Sequence, residues 1–248
     1  MRFEAAGEER FGVLDGATIA EWEGDMFAGA MPTTRRHALA AVHLLTPCRP
    51  TKMIGLWNNF HERARQEGLG RPTHPLYFIK GNNCFAGTGD RIRRPAGYSG
   101  QIVFEGELGI VIGQRCSGAV PDGAIFGYTC VNDVTARDLL RADPSFVHWT
   151  RAKSFDTFGV FGPCIASAIA PDDLRVRVLL SGVQKQDYPV ADMFFSPAEI
   201  VGHIARDMTL EPGDVIACGT SVGVCAMNDG DSVEVVIDGI GRLANLFG

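Results

Sequence analysis

The sequence predicts a β-dominated α+β protein, and three observations carry that expectation. Apolar runs rich in Val, Ile, Leu and Phe recur from PLYFIKG at 75–81 to GRLANLF at 241–247, separated by turns containing Gly or Pro. Helical apolar spacing is scarce, with VTARDLLRAD (134–143) and SPAEIVGHIARDM (196–208) its main instances. The strands also do not alternate with helices as βαβ units would, so a sandwich, roll or barrel is expected and a doubly wound sheet is not.

Taken in order, RFEAA, RFGVLD and TIAEWEG read as short strands and HALAAVHLL has helical spacing, which together suggest a small N-terminal β/α unit over 1–46. A larger domain over 47–248 follows the turn TPCRPTK. MIGLWNN reads as a strand running into HERARQEGLGRP, a charged segment suited to a short helix that ends at Gly and Pro. The further strands are IVFEGELGIVIG, AIFGYTCVND, CIASAIA, LRVRVLLSG, DVIACGT, SVEVVIDGI and the closing GRLANLF. Ser196 and Pro197 suit the start of the second helix.

The formal net charge of −6 over 248 residues, with no long basic cluster, argues against nucleic acid and anionic membrane as partners and favours a small molecule. Seven cysteines, an odd number without C-x-x-C spacing, read as reduced thiols. The N-terminal MRFEAAGEERFGV lacks the pattern of a secretory signal, and no apolar run reaches transmembrane length, so a cytoplasmic protein is expected.

Glu105 and Glu107 interrupt the most strand-like run in the chain. Alternation puts them on one face, about 7 Å apart, where they repel by about 2 kcal/mol at an effective dielectric near 20. A solvated outer face or a bound divalent cation would each offset that cost. Asp133, where the next strand ends, reads either as a helix N-cap or as a third oxygen ligand completing a facial site. Lys153, among Phe155, Phe158 and Phe161, either snorkels or offers a fixed charge to an anion, with Asp156 as a partner and Arg151 as a competitor. The Gly219-Thr220-Ser221-Val222-Gly223 stretch fits G-x-S-x-G, yet strand resumes after it and no histidine follows His203, so a hydrolase elbow is not expected. It serves as a tight turn or as a dock for an oxygen-rich ligand. His61 and Glu62 head the charged segment, where an imidazole is either solvated or a general base.

Together, FEGELGIVIG, GYTCVNDVTARD, TRAKSFDTFGVFGP, ADMFF and TLEPGDVIACGT resemble the fumarylacetoacetate hydrolase family, in order, over residues 50–248. The resemblance implies a mixed β-sandwich roll, usually a homodimer. It also implies one Mg2+ or Mn2+ per chain, held by Glu105, Glu107 and Asp133. Lys153 and the Gly219-Thr220 pair would then lie near a 2-oxo or β-diketo acid, and His61 with Glu62 would act from a lid. Hydrolysis of a carbon–carbon bond in an acylpyruvate through a metal-bound enolate is the leading expectation. Isomerase, tautomerase or decarboxylase chemistry on a 2-oxo or hydroxymuconate-type acid is the alternative, and a non-catalytic 2-oxo-acid binding protein is the other. The sequence departs from the family pattern at three points. Ala64 stands where hydrolytic members carry a glutamate, Ser221 follows Gly-Thr where proline is usual, and Gly81 follows Phe-Ile-Lys where proline is usual.

Overall fold

The computed structural model describes residues 1–248. The first unit is a five-stranded antiparallel sheet, ordered Met31–Ala38, Thr18–Glu23, Glu8–Asp15, Arg2–Ala5, His43–Leu44. Its first hairpin turns on Ala6 and Gly7, both at positive φ (54° and 76°), as a two-residue turn matched to strand twist requires. The helical spacing of HALAAVHLL yields only a 3-10 turn at Leu39–Ala41, because His43 and Leu44 are drawn into the sheet opposite Glu4 and Phe3.

Two further large sheets and a short two-stranded ladder form the rest of the molecule. One has seven strands, ordered Leu76–Lys80, Met53–Trp57, Val215–Ala217, Gly106–Ile112, Ile125–Asp133, Gly159–Ala166, Phe85–Ala86. Its two edge strands, Leu76–Lys80 and Phe85–Ala86, are joined by only Gly81–Cys84, so the sheet is curled until its edges approach. The other has five, ordered Val183–Pro189, Arg175–Leu180, Ser232–Ile237, Gly241–Phe247, Arg91–Ile92. Leu108, Ile110 and Ile112 pack with Val176, Val178, Val233, Val235 and Leu243 in the main core between them. The opposite face of the same strand is also buried, with Val111 against Met53, Val131, Phe161 and Val215. The sheets meet most closely at Gly106, where a Cβ would stand 2.2 Å from the Val178 side chain.

Helices are few, as expected. They are α1 (His61–Glu67), α2 (Trp149–Lys153) and α3 (Pro197–Asp207). The last begins with a full capping box, Ser196 accepting from the Glu199 N–H and the Glu199 carboxylate accepting from the Ser196 N–H. The expected helix over 134–143 does not form. Thr135 and Ala136 instead pair with Val103 and Ile102, leaving one 3-10 turn at Arg137–Leu139. That pairing also breaks the expected single strand over 102–112 into Ile102–Val103 and Gly106–Ile112.

In the N-terminal sheet Glu21 is buried and accepts from Arg35 Nε at 2.6 Å, Arg10 at 2.9 Å and the His37 ring at 2.7 Å. The Arg35 bond, aided by His37 and Arg10 against the opposing effect of burial, brings its carboxyl from 4.5 down to about 2. A depressed folded pKa gives stability that is present above the unfolded value and lost as pH falls through the folded one. Wild type should therefore exceed Glu21→Gln by about 2 kcal/mol at neutral pH, with the gap closing between about pH 5 and about pH 2. Urea unfolding across that range measures it.

Candidate active site

The strand register assembles the site. Glu107 pairs with Val131, and the Asp133 N–H donates to the Glu105 carbonyl at 2.9 Å, so Glu105, Glu107 and Asp133 share one face at one end of two neighbouring strands. One oxygen from each lies within 4.8 Å of the others, and all three residues are buried. The solvated-face alternative for the glutamate pair is thus excluded, since Glu105 is 9% and Glu107 1% exposed. Asp133 caps no helix; the turn at Arg137–Leu139 starts from Ala136.

Two lysines balance these carboxylates. Lys153, the last residue of α2, is buried and donates to Glu105 Oε2 at 2.6 Å and to Asp133 Oδ2. It neither snorkels nor pairs with Asp156, which instead accepts from the Asn83 amide at 2.8 Å. Lys80, fully buried at a strand end, holds the other Asp133 oxygen. Ser154 locks the two lysine-bearing segments together, its hydroxyl accepting from the Gly81 N–H at 2.8 Å. A proline at 81 would lack that donor, which gives the Phe-Ile-Lys-Gly departure a structural purpose.

Glu107 accepts from the Gly219 N–H at 2.7 Å. The Thr220 hydroxyl donates to the Gly106 carbonyl at 2.9 Å and accepts from Gln186 at 2.9 Å. Gln186 also accepts from the Gly106 N–H at 3.1 Å, fixing the Gly-Thr turn against the central strand. Ser221 is buried with its hydroxyl unpaired and has no histidine partner, in keeping with its exclusion as a nucleophile.

Burial, with Asp133 and Glu105 behind it, pushes the Glu107 carboxyl well above its usual range. Burial acts the same way on Asp133, but Lys153 and Lys80 more than offset it and hold that carboxyl low. Burial also disfavours charge on Lys153, yet Asp133, Glu105 and Glu107 raise its pKa overall, so it stays an ammonium.

His61 and Glu62 have other partners and do not border the cavity at Glu105 and Glu107. His61 opens α1 on an exposed edge, its ring 4.2 Å from that of Phe194. Glu62 turns to Arg65 at 2.7 Å and Gln66 at 2.9 Å, and the Arg65 bond above all lowers its carboxyl to about 2. The side chain that α1 extends to the carboxylates is Arg63, whose Nη1 lies 3.5 Å from Glu105 Oε1. Ala64 is buried beneath the helix.

A cavity of about 50 Å³ lies over the carboxylates, bordered by Trp57, Arg63, Lys153 and Thr220. It shares Trp57, Arg63 and Trp149 with an outer chamber of about 1140 Å³. Sequence reasoning missed Lys80, Arg63 and Gln186. A lysine closing the apolar strand LYFIK was a usable signal for the first; nothing local marked the other two.

The donor set suits a hard divalent cation: three carboxylate oxygens at close range, one of them destabilised as an anion by burial and by its two acidic neighbours. Comparison with known proteins gives this cluster a family context. The description "Fumarylacetoacetate (FAA) hydrolase C-terminal" matches residues 52–247, and "Rv2993c-like, N-terminal" matches 1–47. Oxaloacetate tautomerase YisK of Bacillus subtilis is 34% identical, over 86% of this chain and 75% of its own. The crystal structure of 2-hydroxyhepta-2,4-diene-1,7-dioate isomerase from Mycobacterium marinum superposes with a TM-score of 0.90 at 36% identity, covering 99% of this chain and 97% of that one. Maleylpyruvate hydrolase from Sphingobium sp. SYK-6, in complex with manganese(II) and pyruvate, gives 0.79 at 25% identity over 100% and 98%.

If the cluster holds a divalent ion, Mn2+ at about a hundredfold above its Kd should stabilise the protein by about 2.7 kcal/mol, and chelator should reverse the effect. Glu105→Ala and Glu107→Ala should fold yet lose both that gain and the calorimetric binding signal. Unchanged Mn2+ affinity in both variants would remove the carboxylates from the metal site.

Proposed function

The chain belongs to the fumarylacetoacetate hydrolase family, whose members are hydrolases and isomerases, and from that premise we propose that it isomerises or tautomerises a small 2-oxo acid. One observation carries the preference over hydrolysis. The lid holds no acid positioned to activate water: His61 has no carboxylate partner, Glu62 is committed to Arg65, and Ala64 is buried. Moving a proton within the substrate consumes no water and does not need that dyad.

In this proposal Glu105, Glu107 and Asp133 would hold Mg2+ or Mn2+, which would supply Lewis acidity. The manganese and pyruvate of the Sphingobium hydrolase support that choice of metal and head group. Lys153 keeps its proton and presents a fixed charge where negative charge develops on the substrate oxygen. The Gly219 N–H keeps Glu107 aimed into the cavity, and Thr220, braced by Gln186, shapes the wall against the substrate carboxylate. Leu56, Trp57, Leu140 and Trp149 limit water around the reacting carbons. His61, at the solvent edge of α1, exchanges the transferred proton with water.

Carbon–carbon hydrolysis of an acylpyruvate is the second reading, supported by the hydrolase among the structural neighbours. We also propose a homodimer, as in the family, testable by light scattering, and a cytoplasmic setting, which the seven unpaired thiols support. No helix is long and apolar enough to cross a membrane.

The test follows oxaloacetate keto–enol exchange, hydroxymuconate-type isomerisation and acylpyruvate cleavage by NMR with Mg2+ or Mn2+. The wild type should isomerise without cleaving. Lys153→Met should lower kcat by about a hundredfold or more. His61→Ala should lower it by about tenfold to a hundredfold, and Glu62→Gln should leave it within about twofold. Cleavage lost in both His61→Ala and Glu62→Gln would instead establish the hydrolase.

A further inference from the structure

Arg63 is the one charged side chain that α1 carries into the site, and neither the metal ligands nor the proton transfer accounts for it. Its Nε–H is satisfied by Glu67, one turn further along α1, at 2.9 Å. Its terminal nitrogens make no hydrogen bond; Nη1 reaches only the 3.5 Å ion-pair distance from Glu105 Oε1. The side chain is 23% exposed and borders the inner cavity, the outer chamber and a side cavity of about 220 Å³. A guanidinium pinned at Nε, with Nη2 unpaired and Nη1 held only by the 3.5 Å ion pair to Glu105 where cavities meet, is pre-organised to receive a carboxylate in bidentate fashion. Ala64 lets the helix seat closely beside it, being buried without a polar atom to compete.

We propose that Arg63 is a specificity-determining residue that binds a second carboxylate on the substrate, distal to the 2-oxo acid head, so that dicarboxylic acids are preferred over monocarboxylic ones. The assignment rests on the proposed placing of the head group over Glu105, Glu107 and Asp133. It does not depend on which reaction follows. Glu67 is then a positioning residue that sets the guanidinium plane through Nε.

The experiment compares malate with lactate, two stable 2-hydroxy acids that differ by the distal carboxylate, in calorimetric titrations of the Mn2+-loaded protein. Wild type should bind malate about tenfold or more tighter than lactate, as a hydrogen bond to a charged group allows. Arg63→Gln should abolish that preference while leaving Mn2+ and lactate affinities within about twofold. Arg63→Lys should keep part of the preference, and Glu67→Gln should reduce it. Equal loss of malate and lactate binding in Arg63→Gln would show that Arg63 only steadies Glu105, and the proposal would fail. It would fail as well if wild type bound both acids alike, or if Arg63→Gln changed neither. Failure of the isomerase reading would appear only in the turnover assays, so the two outcomes are distinguishable.

Discussion

Three carboxylates buried at the end of two adjacent strands are the constraint to which the rest of the structure answers. Charges of like sign in a site nearly closed to water are unstable unless matched, and removing one partner from such a set is far costlier than never building it. The match comes from far apart in sequence: Lys80 closes an edge strand of the curled sheet, Lys153 closes α2, and Ser154 with Gly81 ties those two segments together. The two ammonium groups and the Arg63 guanidinium pair with Asp133 and Glu105, and Glu107 is left with no basic partner. Burial first, and then Asp133 and Glu105, raise the Glu107 pKa, and a bound divalent ion would offset both effects.

The same constraint explains why Gly106 separates the two glutamates. Residues 105 and 107 must share a face, so 106 points the other way, into the contact with the five-stranded sheet. There the sheets approach too closely for any side chain. The Gly106 carbonyl and N–H are then free to anchor Thr220 and Gln186, which place the Gly-Thr turn over Glu107. Site and core packing are two consequences of one alternation.

That alternation was legible in the sequence, and so was the grouping of Glu105 with Glu107, because period-2 patterning is local. Ser196 and Pro197 likewise announced α3. Register was not legible: only the pairing of Glu107 with Val131 brings Asp133 opposite Glu105, and no local signal specifies it. Tertiary pairing also overrode helical spacing at 134–143, where Thr135 and Ala136 complete a ladder with Ile102 and Val103. The burial of both strand faces misled in the same way, since an acidic pair beside valines is equally compatible with a wet surface until the covering elements are known. The entry of Arg63 into the site was invisible for a further reason: it depends on the orientation of α1, whose first turn is tied down by Asp192 accepting from the Glu62 N–H at 3.0 Å.

Orientation of that one helix is what the proposed choice between isomerisation and hydrolysis rests on. A seven-residue helix presents only one or two side chains inward, and here the inward positions are Arg63 and Ala64. Ala64 packs into the apolar core, so the lid offers no carboxylate from that position. The cation at 63 instead adds to the positive charge around the head-group site without supplying a base. Under the proposed isomerisation, charge stabilisation without water activation favours reactions in which an enolate forms and is reprotonated, since both steps gain from Lys153 while neither requires a nucleophile. In the proposed function, the balance between cleaving and rearranging a 2-oxo acid would turn on two adjacent positions of α1, with the carboxylates, the lysines and the curled sheet beneath them unchanged.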